Sequence, residues 1–262
     1  MEVDSNSITR QLRKMQTQTQ TQTQRPTVID FVDERRRRQL HNADKVYDSI
    51  NRDDKAAFKE CINENELSRT LDYLDCSLEE LLSECKKNDK LHKLLSMKLS
   101  KNATRQGSLD EKLQLKCCGD VGKTCDINVI DLNNNAYRPI KNTSRVVSKE
   151  EMKRENIKKS DCLKSFDAQI TGKISGWITA KVAIGTGGHQ DNVSEELHTM
   201  GDWWCKNRHD SNEYLVILLD TDLQRCFDEL FNKYKEVENI LVCSHVGFQE
   251  WLVNTHHKDD IA

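Results

Sequence analysis

The sequence predicts an α/β fold (α+β): a central mixed sheet flanked by helices, with a helical region N-terminal to it. Three observations carry this. YLVILLD (Tyr214 to Asp220) and NILVCSH (Asn239 to His245) are apolar runs bounded by polar residues, the pattern of buried strands. Amphipathic stretches, Asn192 to Lys206 and Leu223 to Tyr234, separate them and are long enough to cross between parallel strands. Upstream, from residue 40 to about 116, apolar residues recur at three and four: Leu67, Leu71, Leu74, then Leu78, Leu81 and Leu82, with no proline among them.

In order along the chain, residues 1 to 26 hold the TQTQTQTQ run (Thr17 to Gln24), which has nothing apolar to bury and is expected to be disordered. ERRRRQ (Glu34 to Gln39) reads as the solvated basic face of a helix, with a phosphate contact or a targeting patch as alternatives. SLEE (Ser77 to Glu80) and SLDE (Ser108 to Glu111) have the form of capping boxes, which start helices. CDINVIDL (Cys125 to Leu132) reads as a strand and NNNAYRP (Asn133 to Pro139) as a turn. The next stretch, from Arg138 through Lys141, Arg145 and Lys149 to Lys159, holds the longest basic excess in the chain, and SKEE (Ser148 to Glu151) starts a short helix within it. LKSFDAQI and KISGWITAKVAI then read as two strands. The order strand, strand, helix, strand, helix, strand closes the C-terminal third.

Composition bounds the function. The 262 residues are 36% hydrophobic and 32% charged, enough for one large domain or a core with an added module. No run approaches a membrane span, and the N-terminal MEVDSNSITRQLRK lacks the apolar centre of a secretory signal, so a cytoplasmic protein is expected. Ten cysteines then read as reduced thiols. Cys117, Cys118 and Cys125 lack paired C-x-x-C spacing and a nearby histidine, which disfavours zinc. A net charge of -3 argues against non-specific coating of nucleic acid, but a local basic surface would suffice for a DNA enzyme.

The chemistry concentrates between Ser165 and Glu196. Asp167 stands at the head of a strand. Lys181 follows fourteen residues later in ITAKVAI, sharing a strand face with Thr179 and Ala183. On the next helix Val193, Leu197, Met200 and Trp204 form an apolar stripe, with Glu196 at its inward edge and Glu195 pointing nearly the opposite way. An inward glutamate is costly unless paired, protonated or metal-bound. Two carboxylates and a lysine gathered at the edge of a sheet can hold a divalent metal and activate water. Salt bridges, turn hydrogen bonds and a snorkelling lysine are the structural alternatives. Asp220, Asp222, Asp126 and Asp131 are rival acids; Asp222 alternatively N-caps the helix from Leu223. GTGG (Gly185 to Gly188) lacks the lysine and spacing of a P-loop.

Asp167, then TAK (Thr179 to Lys181), then GGHQDNVSEE, resembles the PD-(D/E)-x-K nuclease superfamily over about residues 165 to 245. The closest likeness is to type II restriction endonucleases whose second acid sits on the helix after the lysine strand. The matching positions are Asp167, Thr179, Lys181, Gln190, Asn192 and Glu196. Phe166 stands where the superfamily often has proline, and Thr179 where its commonest form has an acid.

The resemblance implies a restriction-endonuclease-like core over 117 to 262 and says nothing of residues 1 to 116, where the apolar periodicity gives a helical region at 27 to 116. It implies catalytic Asp167, Lys181 and Glu196, with Glu195 as the rival to Glu196. Asp167 and Glu196 would be ligands of Mg2+. His189, Gln190 and Asn192, with Arg138, Lys141 and Arg145, would be DNA contacts. The implied activity is sequence-specific cleavage of double-stranded DNA by a homodimer, alongside a cognate DNA methyltransferase. Another nuclease of the superfamily, of resolvase or mobile-element type, or a non-catalytic DNA-binding protein on the same fold, is the alternative.

Overall fold

A computed structural model describes residues 26–132, 137–184 and 190–259. Apart from Pro26, the segment expected to be disordered lies outside them, as does His189.

The first part is helical. Helices α1 (Phe31–Asn51), α2 (Lys55–Cys61), α3 (Glu64–Leu74), α4 (Leu78–Lys87) and α5 (Asp89–Leu99) follow one another through short breaks. The breaks are chemical. Asp75 takes a left-handed conformation (φ 48°) that ends α3, and Ser77 then opens α4 with the capping box that SLEE announces. Val46, Ile50, Phe58, Ile62, Leu81, Cys85, Leu95 and Leu99 form the buried centre of this unit. Leu74 lies off that face and is exposed.

Helix α6 (Gly107–Gly122) leads into the sheet. It corrects two expectations. SLDE is not a capping box: the helix begins at Gly107, its N-cap Gln106 makes no side-chain cap, and Glu111 reaches Lys181 instead. The boundary placed at residue 116 falls inside α6, which packs on the first strand of the sheet through Leu115, Cys118 and Val121.

Among the described residues five strands form the central sheet: β1 (Ile127–Asp131), β4 (Ala168–Gly172), β5 (Gly176–Ala183), β6 (Tyr214–Thr221) and β7 (Ile240–Cys243), in the spatial order β1-β4-β5-β6-β7. The β1–β4 and β4–β5 pairs are antiparallel, while the β5–β6 and β6–β7 pairs are parallel, so the sheet is mixed as expected. Gly172, at φ 114°, makes the tight turn from β4 to β5. Helices α8 (Gln190–Asn207) and α9 (Gln224–Tyr234) cross over on one face; α6 and α10 (His245–Asp259) cover the other. Alternation along β5 and β6 decides which residue meets which layer. Trp177, Leu215, Ile217 and Leu219 face α8 and α9, and Ile178, Ala180, Val216 and Leu218 face α6 and α10. Gly201 on α8 lets the Tyr234 ring of α9 approach so closely that any Cβ there would overlap it. Helix α9 starts at Gln224 with Leu223 as its N-cap, so Asp222 is not the cap.

The turn expected over Asn133 to Pro139 is in part a strand. Beyond the undescribed residues 133–136, β2 (Tyr137–Pro139) pairs with β3 (Val146–Ser148), and the α7 helix (Lys149–Arg154) follows with its Ser148 capping box. This hairpin is fixed to the core: Trp203 Nε1 donates to Ile140 O at 2.8 Å, and Tyr137 packs against Trp177 at 5.2 Å between ring centroids. Phe166 stacks on the same Trp177 at 5.0 Å. Such aromatic pairs add about 1 kcal/mol each beyond their buried area.

The ERRRRQ block is not simply a solvated face. Arg35 Nε and an Arg38 NH2 group meet the fully buried Asp110 of α6 at 2.7 and 2.8 Å. Arg35 also donates to the carbonyls of Ile184, at 2.9 Å, and Val182, at 3.5 Å. Just upstream, Ile29 N–H donates to His245 Nε2 at 3.0 Å, and Gln249 both accepts from Thr27 N–H (2.8 Å) and donates to Thr27 O (3.1 Å). The N-terminal helix is thereby seated on the α6 and α10 layer.

Candidate functional site

The site forms where the sheet opens. Strand β4 begins at Ala168, opposite Ile178, but β5 runs on to Ala183. Residues 179 to 183 therefore lack a strand partner on the β4 side while remaining paired to β6 on the other. The backbone N–H of Ala180 is taken instead by Asp167, whose Oδ2 accepts it at 2.8 Å. Asp167 itself is held from both sides: its N–H donates to Ile178 O at 2.8 Å and its carbonyl accepts from Leu132 N–H at 2.9 Å.

Through this gap helices from both layers reach Lys181. Its Nζ lies 3.4 Å from Glu196 of α8, 3.7 Å from Asp167 and 3.5 Å from Glu111 of α6. All four side chains are largely buried, at 13 to 25% exposure, so these charges are poorly screened. Lys164, exposed, caps the outer oxygen of Glu196. Glu111 and Asp167 line a cleft of about 130 Å³ with Asp131, and Glu196 lines a second depression of about 310 Å³ with Lys164, Asn192 and Glu195.

The crowding shows in the protonation equilibria. Burial raises the Glu111 carboxyl to about 7, against the pull of the Lys181 ammonium, with Asp167 and Glu196 adding to the rise. Burial likewise raises Asp167, with Lys181 and the Ala180 N–H opposing it. Burial alone would lower the lysine, but the three carboxylates together hold Lys181 above the ordinary lysine range. A carboxyl whose folded pKa exceeds its unfolded value of 4.5 binds more protons when folded, so stability falls as pH rises from about 4.5 through 7. Glu111→Gln removes that cost. It is expected to stabilise the protein at pH 8 by roughly 2 to 3 kcal/mol, with little gain at pH 4.5. Urea titrations at the two pH values check this, and equal effects at both would show that Glu111 is not the titrating group.

Of the residues singled out in the sequence, Asp167, Lys181 and Glu196 come together and Glu195 does not: it is exposed, one position round the helix. Glu111 was missed as a site residue because SLDE offered it a local capping role; its placement depends on α6 packing beneath β1. Arg138 is buried and spends a guanidinium N–H on Leu163 O at 2.8 Å, which corrects its assignment as a DNA contact. Arg145 is exposed but held by both oxygens of Glu155, at 2.8 and 3.1 Å. Lys141 and Asn192 are exposed, while the side chain of Gln190 lies outside the described residues. Asp220 is removed from this cluster. Its carboxylate binds Gln114 Nε2 (2.6 Å) and the ring and N–H of His245 (2.8 and 3.3 Å), a structural node between α6, β6 and α10.

Among the described residues no group of three or more His, Cys, Asp or Glu side chains is already converged for a metal ion. The ammonium of Lys181 lies among the three carboxylates. The donors themselves are hard oxygens suited to Mg2+, and their raised or crowded state is one that a dication relieves. All ten cysteines are free, with Cys118 and Cys125 buried. No helix among the described residues is long and apolar enough to cross a membrane. Comparisons with protein-family models, with curated proteins and with solved structures return no match.

Proposed function

We propose that the protein is a Mg2+-dependent, sequence-specific endonuclease of double-stranded DNA built on a restriction-endonuclease-like core. The observation that carries this reading is the meeting of Asp167, Glu196 and Glu111 around Lys181 at the gap between β4 and β5. The order in the chain supports it: an acid at a strand head, a lysine on the next strand, an acid on the helix after it.

Asp167 and Glu196 would hold the ion. Mg2+ bound there supplies Lewis-acid polarisation of a phosphodiester and makes nearby water more acidic. The chain supplies the rest. Lys181, displaced from its carboxylates, donates to a phosphate oxygen and offsets charge developing in the transition state. Glu111, the third carboxylate at Lys181 and a wall of the same cleft as Asp167, would be the group to take a proton from attacking water. Cleavage of a palindromic site would need two copies of the chain, and a cell carrying such activity would need a methyltransferase to protect its own DNA. Both are part of the proposal.

Purified protein should cut unmethylated phage DNA into discrete bands with Mg2+ and not with EDTA, and Asp167→Asn and Glu196→Gln should each remove the bands. A smear would indicate a nuclease without site specificity. Intact DNA under all conditions, with tight binding, would favour the non-catalytic reading, which the lysine lodged among the carboxylates supports.

A further inference from the structure

A groove of about 560 Å³ lies beside the β2–β3 hairpin, lined by Arg138 of β2, Lys149 and Lys153 of α7, and Lys159 of the turn that follows, with Met152 and Ile157 among its apolar walls. No acid lines it. Of the segment's acids, Glu150 and Asp161 are exposed but do not line the groove, and Glu151 and Glu155 are engaged elsewhere. Glu151 Oε2 accepts the Ser148 N–H at 2.8 Å in the helix cap. Glu155 takes Arg145 at 2.8 and 3.1 Å and Arg154 at 3.3 Å. Glu151 and Glu155 thus pair with Arg145 and Arg154, while Lys149, Lys153 and Lys159 are exposed and, among the described residues, form no ion pair. Lys149 and Lys153 are also one helical turn apart, a repulsive placement that an anion between them would reverse.

The groove adjoins the carboxylate site. Arg138 donates from its wall to Leu163 O at 2.8 Å, and the next residue, Lys164, is the one that pairs with Glu196. We propose that this groove is a docking surface for the phosphate backbone of duplex DNA, with Lys149, Lys153 and Lys159 on successive phosphates and buried Arg138 holding the wall in place. Charge selects the partner. The chain carries a net -3 and repels a polyanion in bulk, so attraction must come from a local run of unpaired cations. The choice of DNA rests on the nuclease reading; the surface itself does not.

The test is fluorescence-anisotropy binding of a short duplex DNA in EDTA across a range of salt. Wild type is compared with Lys149→Ala/Lys153→Ala/Lys159→Ala, and with a distant triple of equal charge change, Lys59→Ala/Lys90→Ala/Lys98→Ala. Each phosphate contact contributes about 0.9 to the slope of log K against log salt, so the groove variant should lose about 2.7 of slope and at least about tenfold in affinity at 0.1 M salt. The distant triple should keep the wild-type slope, and all three proteins should melt alike. Equal losses in both triples, an unchanged slope in the groove variant, no DNA binding by wild type, or tighter binding of duplex RNA would each overturn the proposal. Because no step requires cleavage, a salt slope that follows the groove in a protein that never cuts DNA would refute the nuclease reading and leave this one standing.

Discussion

Lys181→Met is expected to abolish Mg2+-dependent cleavage, with a loss of about a thousandfold or more, and to destabilise the protein in a pH-dependent way. The catalytic loss follows from removing the ammonium group that lies among Asp167, Glu196 and Glu111 at the gap. The stability effect follows from what is left behind: three largely buried carboxylates without the cation they share. Breaking a buried charge cluster by removing one partner costs about 3 kcal/mol. In the wild type Glu111 already sits near 7 despite Lys181, and losing the lysine moves it higher. Glu111 and Asp167 then bind protons more readily in the folded than in the unfolded chain, so the deficit grows above about pH 4.5 and shrinks on acidification. Denaturant midpoints for the variant and wild type should differ at pH 8 and converge toward pH 5. A pH-independent difference would mean that Lys181 acts through packing of its stem, and full cleavage by the variant would end its catalytic assignment.

Asp110→Ala is expected to lower the melting temperature by about 10 °C. Asp110 is fully buried and is the shared partner of Arg35 and Arg38, whose side chains are only 12 and 15% exposed. Its removal strands two guanidinium groups inside the protein, at about 3 to 5 kcal/mol, and each kcal/mol is worth about 2 to 4 °C in a chain of this size. Combining it with Arg35→Met and Arg38→Met should recover much of the loss, because an apolar replacement of the whole cluster leaves no unpaired charge. Differential scanning fluorimetry reads both. A shift under about 2 °C for the single variant would show that α1 is held by its other contacts.

What the sequence disclosed and what it withheld divide along a physical line. The strands over 214–221 and 240–243 were legible because a buried strand must be apolar on both faces, and α8 because its stripe repeats with the helical period. The same stripe sorted Glu196 from Glu195. The hairpin of β2 and β3 was hidden because three-residue strands carry no period, and Pro139 reads as a turn. Arg35 and Arg38 read as solvent-facing because a run of arginines has no apolar signature; only a buried acid some seventy residues away, Asp110, draws them inward. Glu111 was lost to a motif that fits locally but is overridden by packing. Its role is set by the way α6 lies under β1, information spread over the whole core.

The seating of Thr27 and Ile29 on Gln249 and His245 has a consequence for how the protein is made. These partners are separated by 222 and 216 residues. At translation rates of about 5 to 20 residues per second, α1 emerges roughly 10 to 40 seconds before the helix that receives it. During that interval α6 is already out and can receive Arg35 and Arg38, but Thr27 and Ile29 have no α10 beneath them. A ribosome stalled before α10 should therefore carry a nascent chain that is open to protease over residues 27 to 30, and the same bonds should become protected once α10 is out.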